Sequence, residues 1–88
     1  MDFSKEELKK KIIYRSNYRG SKEMDSLLSS FTKKYIDILK GDELTDLSNL
    51  LEIDDVNLYN YNQGLKTSLK FPVNKVTDLF KSFNLKKK

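Results

Sequence analysis

Two groups of side chains in this sequence have the types and spacing to do chemistry. One is the polar stretch Tyr14-Arg15-Ser16-Asn17-Tyr18-Arg19-Gly20-Ser21-Lys22-Glu23-Met24-Asp25, in which cations precede a glycine and carboxylates follow it. The other is the acidic pair Asp54-Asp55. Arginine and tyrosine are over-represented at the energetic centres of interfaces, and a glycine lets a partner's main chain come close, so the first group suits docking on a protein. Adjacent carboxylates could hold a divalent cation, but at a helix start they more often serve as the N-cap and its neighbour, and the EF-hand spacing is absent. The chain has no Cys and no His. Zinc sites of the Cys/His type and Cys or His nucleophiles are therefore excluded, and the bases most used near neutral pH are missing. No glycine lies in a phosphate-binding loop or dinucleotide fingerprint. These residues point to a binding protein, not an enzyme, with no metal and no cofactor of its own.

The elements that must position these groups read as helices. Ser4-x-x-Glu7 is a capping box and Phe3 with Leu8 a hydrophobic staple, so a first helix is predicted from Ser4 to about Tyr18. Leu8 and Ile12, with Ile13 beside them, form its narrow apolar stripe, opposite Lys5, Lys9, Lys10 and Lys11. Gly20 is placed to cap it in the left-handed conformation. Arg15 and Arg19 then lie near the negative end of the helix dipole, Glu23 and Asp25 near the positive end of the next helix, and Arg19 can pair locally with Glu23. The second helix is predicted to be the longest, with Met24, Leu27, Leu28, Phe31, Tyr35, Ile38 and Leu39 inward and Gly41 as its stop.

A third helix, from Asp42 or Glu43 to Glu52, turns Leu44, Leu47, Leu50 and Leu51 inward and carries acids in its first turn. A short fourth helix starts at Asp54 as N-cap, stapled by Ile53 and Leu58, with Leu58 and Tyr61 inward, Tyr59 outward and Gly64 beyond its end. After a linker from Gln63 to Phe71, Pro72 takes the first position of a fifth helix whose Val73, Val76, Phe80 and Phe83 step by three and four. Residues 84–88 are expected to fray. No β alternation or internal repeat is present. The prediction is an all-α, small, compact five-helix bundle formed by one domain over residues 1–88.

Composition agrees with that size and class. At 88 residues the chain fits one modest core, and 38% hydrophobic with 34% charged residues allows an apolar face to be buried in a polar chain. Of the formal charge of +4, Lys86, Lys87 and Lys88 contribute three, which leaves about +1 for the rest. A nucleic-acid binder would gather Lys and Arg along one face with side chains that read or stack on bases. No such stripe is evident. The lack of Cys fits a reducing compartment, and the acidic start Met1-Asp2-Phe3-Ser4-Lys5-Glu6-Glu7 resembles neither a signal peptide nor a transit peptide. No apolar run reaches membrane-spanning length, so the expectation is a bacterial cytoplasmic protein, monomeric when free.

The pattern Tyr14-x-Ser16-x-x-Arg19-Gly20-x-x-Glu23, followed by Leu50-Leu51-Glu52-x-Asp54-Asp55-x-x-Leu58-Tyr59-x-Tyr61, resembles the FAD assembly factor SdhE family over nearly the whole chain. Members assist flavinylation of the succinate dehydrogenase flavoprotein subunit. The resemblance implies a five-helix fold and a corner, Arg19-Gly20-x-x-Glu23 flanked by Tyr14, Ser16 and Asp25, that docks on that subunit close to its FAD. Asp54-Asp55 is implied as a second patch, and Arg15 joins the set from its place at the exposed end of the first helix. The implied partner is the succinate dehydrogenase flavoprotein subunit, with the fumarate reductase flavoprotein as an open second candidate. FAD would belong to the partner, and the protein would act by favouring a flavinylation-competent conformation. Two features depart from the family: Tyr61 stands where many relatives carry tryptophan, and Gly64 to Phe71 matches poorly. The competing readings are a small helical nucleic-acid regulator that uses the basic first helix and the lysine tail, and an antitoxin-like interaction protein.

Overall fold

The computed structural model describes residues 5–83, which form five helices and no strand. They are α1 Lys5–Asn17, α2 Lys22–Tyr35, α3 Gly41–Leu50, α4 Asp55–Asn62 and α5 Lys75–Ser82. The predicted cap at Ser4, its staple partner Phe3 and the tail at 84–88 lie outside the described residues. The all-α five-helix architecture is the one expected. Packing joins α1 to α2 and α3, and α5 to α3 and α4.

The apolar stripes of α2 and α3 make the core. Leu27, Leu28 and Phe31 of α2 share one buried cluster with Leu44, Leu47, Leu50 and Leu51, to which α5 adds Val76 and Phe80. Phe31 stands at the centre. Its ring lies 5.2 Å from Phe80, 5.4 Å from Phe83 and 5.0 Å from Tyr35, all tilted or edge-on, which are favourable geometries for aromatic quadrupoles. From α1, Ile12 is fully buried and Leu8 half-buried, whereas Ile13 faces outward. Tyr61 keeps the aromatic packing expected of it, with its ring stacked 4.0 Å from Phe71.

Several boundaries differ from the periodic reading. Gly41 does not stop α2; it opens α3, and α2 ends at Tyr35 in a turn where the N–H groups of Ile36, Ile38 and Leu39 find Thr32 and Tyr35 carbonyls. That tighter turn breaks the period, so Ile36 and Leu39 go inward and Ile38 outward. At the start of α3 the Glu43 carboxylate accepts from the Lys40 N–H at 2.9 Å. Pro72 and Val73 lie outside α5, and Val73 is 90% exposed. The cap is Asn74, whose side chain accepts from Thr77 N–H at 2.9 Å while the Thr77 hydroxyl accepts from Asn74 N–H at 3.1 Å. Two buried asparagines were not foreseen. Asn62 donates to the carbonyls of Phe80 and Phe83, satisfying the C-terminal end of α5, and Asn57 bonds Ser68 of the linker.

Candidate functional site: the corner between α1 and α2

The corner is built by the short link from Asn17 to Lys22, set against the turn from Leu51 to Asp55 that joins α3 to α4. Arg19 holds the two together. Its Nε donates to Asp55 Oδ1 at 2.9 Å, Nη1 donates to the carbonyls of Arg15 at 3.1 Å and Leu51 at 2.9 Å, and Nη2 donates to the carbonyl of Ile53 at 3.0 Å. Nη2 also lies 2.8 Å from Asp55 Oδ1. Only 11% of the Arg19 side chain and 27% of the Asp55 side chain are exposed. The planar fork of guanidinium donors is what allows one side chain to satisfy three carbonyls from two segments at once, and those of Arg15 and Leu51 are orphan carbonyls at the ends of α1 and α3. Arg19 therefore pairs with Asp55 and not with Glu23.

Gly20 is next in this arrangement. Its N–H donates to Asp55 Oδ2 at 2.7 Å, so both oxygens of that carboxylate are engaged. Its φ is not positive; the left-handed glycine is Gly64, at φ 76°. The requirement for glycine at 20 is one of space, because a Cβ there would meet Asp55 Oδ2 at 2.8 Å. Asp25 completes the link by accepting from the Arg19 backbone N–H, and Ser21 caps α2 by accepting from Met24 N–H at 3.2 Å.

The remaining residues expected at the site divide between interior and surface. Ser16 is buried and donates to the Ile13 carbonyl at 2.8 Å, a local helix bond that removes it from the surface. Arg15 is half-exposed and paired with Glu52 at 3.1 Å. Tyr14 and Tyr18 are exposed with ring centroids 4.7 Å apart. Glu23 is exposed and makes no hydrogen bond or ion pair among the described residues. Asp54 caps α4: it accepts from the Asn57 side chain at 2.8 Å and from the Asn57 N–H at 3.1 Å. Those two bonds, the side-chain one first, hold its carboxyl below the ordinary aspartate value of 3.8.

Two hollows flank the ridge formed by Gly20 and Asp55. One opens between the tyrosines of α1 and the α3–α4 turn, lined by Tyr14, Tyr18, Arg15 and Glu52. The other is lined by Gly20, Met24, Val56, Tyr59 and Asn60, with Glu23 at its margin. Val56 was missed in the sequence because it follows the acidic pair without belonging to any apolar stripe. Its isolation from that stripe was the available signal. The arrangement offers a preformed binding surface, with a polar clamp below and aromatic and aliphatic side chains above. Among the cations of α1, Lys9 is tied to Asp37 and Arg15 to Glu52, which reduces the free positive charge on that helix. Among the described residues, no helix is long and apolar enough to cross a membrane.

The sequence that builds this corner has known relatives. The sequence profile described as flavinator of succinate dehydrogenase matches residues 10–84. The chain is 32% identical over 73 residues to the FAD assembly factor SdhE of Acetobacter pasteurianus, covering 83% of this chain and 64% of that protein. It is 38% identical over 56 residues to the mitochondrial succinate dehydrogenase assembly factor 2 of Meyerozyma guilliermondii, which covers 64% of this chain and 42% of that protein. With the corresponding protein of Dictyostelium discoideum it shares 39% over 56 residues, 64% of this chain and 40% of the relative. The matches thus span from 40% to 64% of the length of these relatives. No solved structure matches.

Proposed function

The chain belongs to the family of flavinators of succinate dehydrogenase, and we propose that it is an assembly factor that docks on the flavoprotein subunit of that enzyme and promotes covalent attachment of its FAD. The observation that carries this reading is the Arg19–Asp55 clamp, which fixes Gly20 on a ridge between two hollows and leaves Glu23 exposed beside it. Surfaces that bind without reorganising lose less conformational entropy on association. Arg19, Asp55, Asp25, Ser16 and Asp54 act as positioning residues beneath that surface. Tyr14, Arg15, Gly20 and Glu23 touch the partner.

Flavinylation would proceed by the chemistry of the subunit itself. This sequence has no His or Cys to act as base or nucleophile, and its part is to bind the competent conformation of the client more tightly than others, which shifts the population toward it. FAD remains with the client, and the site of action is the bacterial cytoplasm. The fumarate reductase flavoprotein is a second client to test.

The deciding experiment is in-gel flavin fluorescence of the denatured succinate dehydrogenase flavoprotein subunit, because denaturation leaves only covalent flavin. Cells with the gene, without it, and with Glu23→Ala or Gly20→Arg are compared. The expected result is loss of signal in all three altered strains and recovery on complementation, with each variant still folded by circular dichroism. Unchanged fluorescence in cells without the gene overturns the proposal.

A further inference from the structure

Resting on that reading, we infer that the hollow lined by Gly20, Met24, Val56, Tyr59 and Asn60 receives an apolar side chain of the flavoprotein subunit, and that Glu23 at its margin pairs with an arginine or lysine beside that side chain. Three observations converge on this occupant. The first is apolar surface with no cover: Val56 is 69% exposed and Tyr59 is partly exposed, both on the same side of α4 as the hollow, while Met24 forms its buried floor. An aliphatic side chain held out beside an aromatic one gains by being covered, and such pockets are where interface anchors insert.

The second is charge. Two carboxylates line the hollow, Asp55 and Glu23. Both oxygens of Asp55 are already bonded, to Arg19 and to the Gly20 N–H. Glu23 has no such partner among the described residues and lies in the first turn of α2. It is thus the carboxylate available to a cation arriving from outside, and a partner that brought another acid here would meet repulsion. The third is shape. Gly20 contributes only backbone to the wall, and the space a side chain would take there is already filled by Asp55 Oδ2, so this part of the wall has a fixed, low profile. The tie from Asp55 keeps that wall in place, and the hollow exists before the partner arrives.

Residues from two segments distant in the sequence take separate roles around this hollow. Arg19 shapes the ridge from inside, Glu23 selects a cation, and Val56 with Tyr59 covers the apolar anchor. Val56 and Tyr59 become specificity residues on a helix whose start had been read as an acidic patch.

Affinity for the purified flavoprotein subunit, measured by isothermal titration calorimetry with the full chain, tests this directly. Val56→Asp is expected to weaken binding by at least about tenfold, as truncation of an interface anchor does. Glu23→Gln is expected to weaken it by about tenfold and to flatten its salt dependence. Val73→Asp, on the exposed linker, serves as the charge control and should bind as the unaltered chain does. Thermal melts establish that the variants fold, and Tyr59→Ser repeats the test if Val56→Asp does not. Unchanged affinity in folded Val56→Asp or Tyr59→Ser overturns the inference, as does a Glu23→Gln variant with unaltered salt dependence. In either case the assembly-factor reading stands if covalent flavin still depends on the gene. A wild-type chain that fails to bind the subunit overturns both.

Discussion

Arg19 and Gly20 are neighbours in the sequence and serve one tie, yet their substitutions should fail for different reasons. Lysine at position 19 keeps the charge but presents a compact ammonium in place of a planar fork, so most of the four hydrogen bonds are lost and helix-end carbonyls are left buried. Arg19→Lys is expected to lower stability by about 2 to 4 kcal/mol in urea unfolding, since breaking a mostly buried pair strands its partner. A change within experimental error would show that the clamp contributes nothing to folding. Gly20→Ala strikes Asp55 Oδ2 and not the backbone. Its effect, about 1 kcal/mol from the lost N–H bond, should therefore largely vanish in an Asp55→Ala background, a coupling that a double-mutant cycle reads. Gly64→Ala is the contrast: its φ of 76° puts a Cβ in the left-handed region, at about 1 to 2 kcal/mol, whatever stands at 55.

At the scale of elements, α4 is the helix on which the corner depends, and it is only eight residues long. An isolated helix of that length is unstable in water, so its cap and its packing must hold it. Asp54 provides the cap, and Asn57 links the cap to Ser68 of the linker. The Asp54 carboxyl is held below its ordinary value by those bonds, so it binds a proton less readily in the folded chain than in the unfolded one. Its stabilising contribution is then fully present above the ordinary value of 3.8 and is lost as pH falls through the lower folded value. Urea midpoints should drop as pH falls below about 4, and Asp54→Asn, which can still cap but cannot titrate, should lessen that drop. The start of α5 is set by Asn74, and Asn74→Ala is expected to remove about 1 kcal/mol on thermal unfolding. Pro72→Ala should do less if the helix begins where Asn74 caps it.

At the scale of the molecule, one aromatic cluster ties the helices. Phe31 touches Phe80, Phe83 and Tyr35, so it joins α2 to α5 across the core. Phe31→Ala is expected to cost about 3 to 5 kcal/mol. Small domains have a total of about 5 to 15 kcal/mol, so this variant should show a sharply lowered melting temperature, and retention of the wild-type value would contradict the packing. A binding face needs such a frame because its hollows lie between helices, and the relative placement of α1, α2 and α4 decides their shape. Loss of flavinylation in Phe31→Ala would accordingly follow unfolding, whereas loss in Glu23→Ala should occur with the fold intact.

The sequence by itself determined the number of helices, the buried stripes Leu27-Leu28-Phe31, Leu44-Leu47-Leu50-Leu51 and Val76-Phe80, and the cap at Asp54. These follow from interactions within a turn or two of helix, which periodicity and capping rules describe. Local rules also marked the corner as polar and central, without saying which of its charges face the solvent. Only the tertiary structure turned Ile38 and Val73 outward, moved Gly41 from the end of one helix to the start of the next, and buried Ser16. It alone chose Asp55 over Glu23 as the partner of Arg19, although Glu23 is four residues away and Asp55 thirty-six. The reason is physical: a guanidinium goes where the most acceptors converge, and that place exists only after the α3–α4 turn has packed against the end of α1.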